Sequence, residues 1–243
     1  MAILPLRNMV LFPGVVVPVT AGRDKSIKLI NEANANNRAI GIVAQHNQEN
    51  EDPSFKELHK VGTVARILKV LKMPDGNTTV IIQGRKRFKM IEEVSSEPYL
   101  HAKVKEMVDV VAQPEEEEKF NAIIDSIKEV ALEIIKNNPT LPSESAFAIK
   151  NIESSSFLIN FVSSNLGIPV EEKQRLLEMD SQIDRALETL RLMNIELQKL
   201  SLRMDIQSKV QTDINKQQRE YFLHQQMKTI QEELGGHSAE AEV

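Results

Sequence analysis

The feature that most constrains the fold is a stretch of 65 residues, 170–234, that contains neither glycine nor proline. Apolar side chains repeat in it every seven residues, and a second set lies three residues after the first. The two sets are Leu176, Ile183, Leu190, Leu197 and Met204, and Met179, Ala186, Met193 and Leu200. This spacing is typical of the a and d positions of a helix that packs against another helix. The sequence therefore predicts a long, partly coiled-coil-like helix over 169–234, with these nine residues as its packing seam.

The second half of this helix has a different character. Between Arg203 and Glu220 apolar residues are sparse and the seven-residue phase slips, and the pair Gly235-Gly236 then predicts the helix end. The length of such a helix, if it is unbroken, exceeds the diameter of a compact domain of this size. We therefore expect it either to bend at the slip or to project toward another module. The first half should pack, the second half should be exposed, and 235–243 is predicted to be a tail or linker.

The valine content and the net charge of the chain both change near residue 113. Residues 1–112 hold 15 valines, with 16 Lys and Arg against 12 Asp and Glu, whereas residues 113–243 hold 5 valines and 14 basic against 23 acidic residues. Valine favours strands. The seam, Gln113-Pro114 followed by four glutamates, suits a helix start because acids favour the positive end of the helix dipole. The sequence predicts an α+β, multidomain chain.

The first part, 1–112, is predicted to be a small, mostly antiparallel β-barrel with one helix. The clearest signal is a hairpin, in which two alternating segments flank the turn residues 74–77. The other predicted strands are 15–19, 39–45, 87–94 and 99–111, and the helix is Asp24 to Asn36. The second part begins with a helical bundle over 113–168. Its first helix carries apolar residues in steps of three and four and stops at Asn137-Asn138-Pro139.

No catalytic chemistry is visible in the residues. The chain has no cysteine, which removes disulfides, thiolate metal sites and cysteine nucleophiles, and it has no Gly-Lys pair for a phosphate loop. The five histidines are scattered, and no apolar run is long enough to span a membrane. We therefore expect no enzyme activity, no metal and no cofactor in this chain, and a cytoplasmic, soluble protein.

Two segments are candidates for binding, and each has a structural alternative. The basic cluster from Gly84 to Lys89 could contact phosphates, or it could be a turn and a strand with basic outward residues. The apolar run Met9–Phe12 before Pro13-Gly14 could be buried, or it could form an adhesive surface.

Three motifs together resemble a known family. Residues 5–14, PLRNMVLFPG, resemble the opening motif of the Lon ATP-dependent protease amino-terminal domain. Residues 61–65 and 83–88 are similar to later strand motifs of that domain. Residues 218–223, QREYFL, and 228–235, KTIQEELG, are similar to the end of the long helix that precedes the ATPase module in Lon.

The resemblance implies a PUA-like β-barrel followed by a helical bundle. It implies a parent protein that is a cytosolic, homohexameric AAA+ protease with a Ser–Lys dyad and with ATP and Mg as cofactors. On this resemblance, we expect the chain to be an amino-terminal fragment of that parent. Its role would be substrate recognition and assembly during protein quality control.

The residues alone are also compatible with two other functions. One is that of a free-standing PUA-like domain that binds RNA, and the other is that of a structural helical spacer. For the favoured function, unfolded or misfolded protein substrates share exposed apolar residues, so a shallow apolar surface suits them. The predicted substrate-binding residues are Arg7, Asn8, Met9, Leu11, Phe12 and Pro13 in the loop, with Arg85 and Arg87 extending the surface.

Overall fold

The structure is a computed structural model, which describes residues 1–238 apart from 75, 139 and 143, with side chains described as far as 234. The fold is α+β, with a sheet in the first part of the chain and helices in the second. The chain forms two compact units that divide after Leu197.

Six strands form one mixed sheet. They are β1 (Ile3–Leu6), β2 (Val16–Ala21), β3 (Ile40–Ala44), β4 (Val61–Lys72), β5 (Thr78–Ser95) and β6 (His101–Glu106). The strand order is β1-β3-β4-β5-β2, and β6 also pairs with β5. Among these described strand pairs, β1–β3 is parallel and the others are antiparallel. Helix α1 (Asp24–Ala35) packs on the sheet through Leu29, Ile30 and Ala33.

The sheet does not close into the barrel that the sequence predicted. β2 and β6 share one edge of β5, because β2 pairs with its first residues, 78–83, and β6 pairs with its last, 88–95. The β1 end of the sheet approaches β6 at a bridge between Ala2 and His101, where the Ile3 amide donates to the Leu100 carbonyl at 2.8 Å and the Ala102 amide donates to the Met1 carbonyl at 3.0 Å. These contacts do not extend into a ladder between β1 and β6 among the described residues.

The hairpin prediction is confirmed for β4 and the start of β5, although the predicted turn residue Asp75 lies outside the described residues. Two expected strands, 78–82 and 87–94, are one strand of 18 residues in the structure. Gly84 and the basic residues that follow it predict a break in the strand. In the structure the strand continues through them, because the register between β4 and β5 shifts at this point. Strand β1 was not predicted, because its four residues are too short for an alternation signal.

In the described part of the chain, five α-helices follow the sheet, and they are α2 (Glu117–Asn137), α3 (Glu144–Lys150), α4 (Ser155–Asn165), α5 (Val170–Glu178) and α6 (Gln182–Ser238). The predicted helix starts are confirmed at α2 and α5, where Pro114 and Pro169 precede the helix. Ser154 caps α4 by accepting a hydrogen bond from the Phe157 amide at 3.2 Å. The buried face of α2 joins α4, α5 and the start of α6 in one core.

A long helix is confirmed from Gln182 onward, but the prediction that one helix covers the whole of 169–234 is wrong, because the chain leaves helical geometry between Glu178 and Gln182. The break is not at the phase slip but inside the regular seam. Residues 179–181 instead contact the segment after β6, where the Val110 amide donates to the Asp180 carbonyl and the Gln182 amide donates to the Val110 carbonyl, both at 2.9 Å. After the break, α6 continues as far as Ser238, past the predicted stop at Gly235.

Burial along the predicted seam falls with distance from the break. Leu176, Ile183, Ala186 and Met193 are buried, Met179, Leu190, Leu197 and Leu200 are half-buried, and Met204 is exposed. Every residue from 201 to 234 is exposed. The first unit therefore uses only the start of α6 for its core.

Two methionines of the predicted seam provide a matched test of this difference. We expect Met193→Asp to lower the free energy of unfolding by about 2–5 kcal/mol, because a carboxylate would enter a core in which Met193 is fully buried. Met204→Asp should change it by less than about 0.5 kcal/mol, since that side chain is 48% exposed. Urea titrations of both variants would measure the difference, and equal midpoints would show that the start of α6 does not pack.

Candidate functional site

The loop 7–14, between β1 and β2, fills the gap that β2 and β6 leave along β5. The Gly14 amide donates to the Gly84 carbonyl, and the Gly84 amide donates to the Val15 carbonyl, both at 2.9 Å. The Thr63 hydroxyl donates to the Leu11 carbonyl at 2.6 Å. A Cβ on Gly84 would lie 2.2 Å from the Phe12 carbonyl oxygen, so the close approach of the two backbones requires glycine. The loop is therefore held by the sheet along much of its length.

The apolar centre of this loop is buried. Leu11 is 2% exposed and packs in the core between the sheet and α1, whereas Phe12 is 0% exposed and packs in the core shared with the helices. The prediction that these two side chains form an exposed adhesive surface is wrong. The alternative reading of the run, as core, holds for Val10, Leu11 and Phe12. These residues join the sheet to the helices.

The remaining loop residues reach the surface. Asn8 is exposed, and Arg7, Met9 and Pro13 are half-buried. Arg7, Asn8 and Met9 border a depression of about 270 Å³, and Arg7 forms a weak ion pair with Glu51 at 3.7 Å. The side-chain Nδ2 of Asn160 on α4 donates to the Pro13 carbonyl at 3.2 Å, which fixes the end of the loop. Substrate contact by Arg7, Asn8, Met9 and Pro13 stays a prediction.

The two arginines predicted to extend this surface have different environments. Arg85 is exposed, but the Arg87 side chain is only 2% exposed. Arg87 Nη1 donates to the carbonyls of Leu177 and Met179, at 2.7 and 2.9 Å, and thereby binds the end of α5. The prediction that Arg87 is available to substrates is wrong, because its guanidinium is used inside the protein.

Arg87 and Arg185 are buried, and they form an ionic cluster with the half-buried Asp109 and the exposed Asp180. Asp109 Oδ1 accepts from Arg87 Nη2 at 2.5 Å and from Arg185 Nη2 at 2.9 Å. Burial alone would raise the pKa of the Asp109 carboxyl, but hydrogen bonding to Arg185 and the two arginine charges outweigh it and lower that pKa. The carboxylate stays ionised and neutralises part of the charge of the two guanidinium groups.

Sequence reasoning missed this cluster because its members are far apart in the chain. Arg87 and Asp109 are separated by 22 residues, and Arg185 and Asp109 by 76. The heptad pattern gave no signal either, since Arg185 lies two residues after Ile183 and one before Ala186, off the predicted seam, where a charged side chain is expected to be exposed.

Other kinds of site are not found in the described part of the chain. Among those residues no group of three or more His, Asp or Glu side chains could hold a metal ion. No helix within them is both long enough and apolar enough to cross a membrane.

The comparisons with known proteins agree with the motifs. Residues 1–195 match the family described as the ATP-dependent protease La (LON) substrate-binding domain. The chain is 65% identical over 242 residues to the Lon protease of Flavobacterium johnsoniae and 50% identical over 240 residues to that of Cytophaga hutchinsonii. Each alignment covers 99% of this chain but only 29% of the relative, so the chain spans less than a third of their length.

Two solved structures share the fold. The amino-terminal domain of a Lon protease from the Mycobacterium avium complex aligns with a TM-score of 0.64 at 21% identity, over 79% of this chain and 97% of that one. The Lon amino-terminal domain protein from Xanthomonas campestris aligns with a TM-score of 0.55 at 15% identity, over 79% of this chain and 96% of that one.

Proposed function

Because the chain belongs to the Lon substrate-binding domain family, we propose that it is the substrate-recognition and assembly module of an ATP-dependent serine protease. The observation that carries this proposal is the family match over residues 1–195. The substrates would be misfolded and regulatory proteins, and the module would recognise them without cutting them. The sequence contains no Gly-Lys pair with which to build a phosphate loop, which supports a non-catalytic role.

The proposal extends to the parent protein. It would be a cytoplasmic homohexamer that uses ATP and Mg and cleaves with a Ser–Lys dyad, all supplied by parts of the protein outside these residues. We assign 1–112 to substrate binding, 113–168 to a supporting helical bundle, and 169–234 to a connection toward the ATPase module, with 235–243 as linker. The side chains of Phe12 and Arg87 are buried, which favours a role of the helices in holding residues 1–112 rigidly.

Binding of an unfolded protein by the 243-residue chain tests this function. A fluorophore-labelled protein of near-neutral charge that is kept unfolded by reducing and alkylating its disulfides should bind with micromolar or weaker affinity. The same protein with its disulfides intact and folded should not bind. Weak binding is expected because the exposed apolar part of the loop is small, and several copies in an oligomer would add avidity.

A single substitution locates the contact. Met9→Ser should weaken binding several-fold and lower the melting temperature only slightly, because Met9 lies half-buried at the edge of the depression and only part of its side chain packs against the core. Val94→Ser is the matched control, since Val94 is 67% exposed near the end of β5 and makes no part of the loop. Absence of any binding would overturn the proposed function, whereas equal affinities for the two variants would place the substrate surface elsewhere.

A further inference from the structure

A cleft between the end of α1, β4 and β5 is lined by three arginines and by no acidic residue. The arginines are Arg38, Arg66 and Arg85, accompanied by the amide side chains of Asn34 and Asn37, and the volume is about 270 Å³. All five of these side chains belong to exposed residues. The cleft is separate from the depression beside Met9.

Local backbone geometry brings the three arginines together. At the end of α1, Asn37 adopts a left-handed conformation with φ 50°, and the Arg38 amide donates to the Ala33 carbonyl at 2.8 Å, which ends the helix. Arg66 pairs with Gln83 across β4 and β5. The register between these strands shifts from Thr63–Arg87 to Ala65–Gly84, so Arg85 lies in the irregular stretch, where a bulge redirects a side chain.

The three guanidinium groups have no acidic partner among the described residues, in contrast to most arginines of the first unit. Arg87 and Arg185 share Asp109, and Arg191 pairs with Glu188 at 2.6 Å. Glu32, on the same helix as Asn34, does not line the cleft and accepts a hydrogen bond from the Tyr99 hydroxyl at 2.7 Å. Three positive charges around one small cleft repel each other, and an anion bound between them would relieve that repulsion.

The shape of the cleft decides between classes of anion. Nucleic acids need a track of phosphate contacts, usually with aromatic rings on which bases stack. This cleft is short, and no aromatic residue lines it. A guanidinium instead matches a single carboxylate with two parallel hydrogen bonds, and asparagine amides can donate further bonds to it.

We propose that this arginine cleft binds carboxylates of acidic segments in protein substrates. The proposal rests on the proposed function, since it names a class of substrate for the same domain. It adds a charge-based contact to the apolar contact at Met9, so substrates that combine acidic and apolar segments would engage both.

Peptide binding to the 243-residue chain tests the cleft. A fluorescent, glutamate-rich peptide with an amidated end should bind, its glutamine counterpart should bind at least about tenfold more weakly, and binding should weaken as salt rises from about 0.05 to about 0.5 M. A neutral peptide with a free carboxyl terminus separates a terminal carboxylate from acidic side chains as the preferred source.

Charge reversal on the same strand pair provides the matched variants. Arg66→Glu with Arg85→Glu should reduce binding of the acidic peptide by roughly tenfold or more. Lys69→Glu with Lys72→Glu makes the same change in net charge at exposed positions of β4 outside the cleft, and should reduce it by much less. Both variants should melt at the wild-type temperature, because all four residues are exposed.

The outcomes separate this inference from the proposed function. If the neutral unfolded protein binds and the acidic peptide does not, or if both charge variants lose the peptide equally, only the arginine cleft is refuted. If neither ligand binds, the proposed function fails as well. A single-stranded RNA that binds more tightly than the peptide, and is lost in the Arg66→Glu/Arg85→Glu variant alone, would make the cleft a nucleic-acid site and overturn the inference.

Discussion

Replacing Arg87 with methionine is expected to lower the free energy of unfolding by about 3 kcal/mol. The methionine would retain most of the packing volume but would leave the Leu177 carbonyl without its donor, and the Met179 carbonyl would keep only its hydrogen bonds from Arg185. It would also remove one of the two guanidinium groups that neutralise Asp109. Urea or thermal unfolding of the 243-residue chain, followed by circular dichroism, measures the loss.

Arg85→Met is the control for this prediction, because it removes the same charge two residues earlier from an exposed position. Its stability should stay within about 0.5 kcal/mol of wild type. Asp109→Asn combined with Arg87→Met should cost less than the sum of the single changes, because the two residues interact directly. Equal stabilities of Arg87→Met and Arg85→Met would contradict the ionic cluster.

Replacing Phe12 with alanine should have a comparable or larger effect, a loss of about 3–5 kcal/mol. The side chain is 0% exposed and packs where the sheet meets the helices. Its removal therefore leaves a cavity that the surrounding side chains cannot fill without rearranging. Differential scanning calorimetry would record the loss as a lower melting temperature.

Asn8→Ala, four residues away in the same loop, tests whether this effect is specific to the core. Asn8 is exposed, and its variant should melt within a degree or two of wild type. If Phe12→Ala melts at the wild-type temperature too, the loop is not held in the core, and an exposed apolar surface at this position would regain support.

The parts of the fold with a strong local signal were predictable. Apolar periodicity placed α2, the prolines placed the starts of α2 and α5, and the hairpin signal placed β4 against β5. Closure of the sheet was not predictable, because it depends on which edge of β5 each of β2 and β6 occupies. That choice is made by contacts between distant segments and leaves no local pattern.

The candidate site was likewise predictable where the signal is local and not where it depends on distant contacts. The apolar character of 9–12 was evident, but whether these residues face solvent depends on the approach of Gly84 to Phe12, which are 72 positions apart in the chain. Likewise, Arg85 and Arg87 are equivalent by composition, and only the Leu177 and Met179 carbonyls distinguish their roles. The convergence of Arg38 and Arg66 with Arg85 had no sequence signal, because each residue stands alone in its own element.

The break between α5 and α6 has a consequence for the order in which the chain folds. Residues 179–181 contain no glycine or proline, and the local signal for a boundary is Ser181, whose hydroxyl accepts a hydrogen bond from the Asp184 amide at 3.2 Å at the start of α6. The remaining contacts at the break come from elsewhere, from Arg87 on β5 and from the Val110 backbone. Because these partners belong to β5 and to the segment after β6, the boundary is complete only after this part of the sheet has assembled.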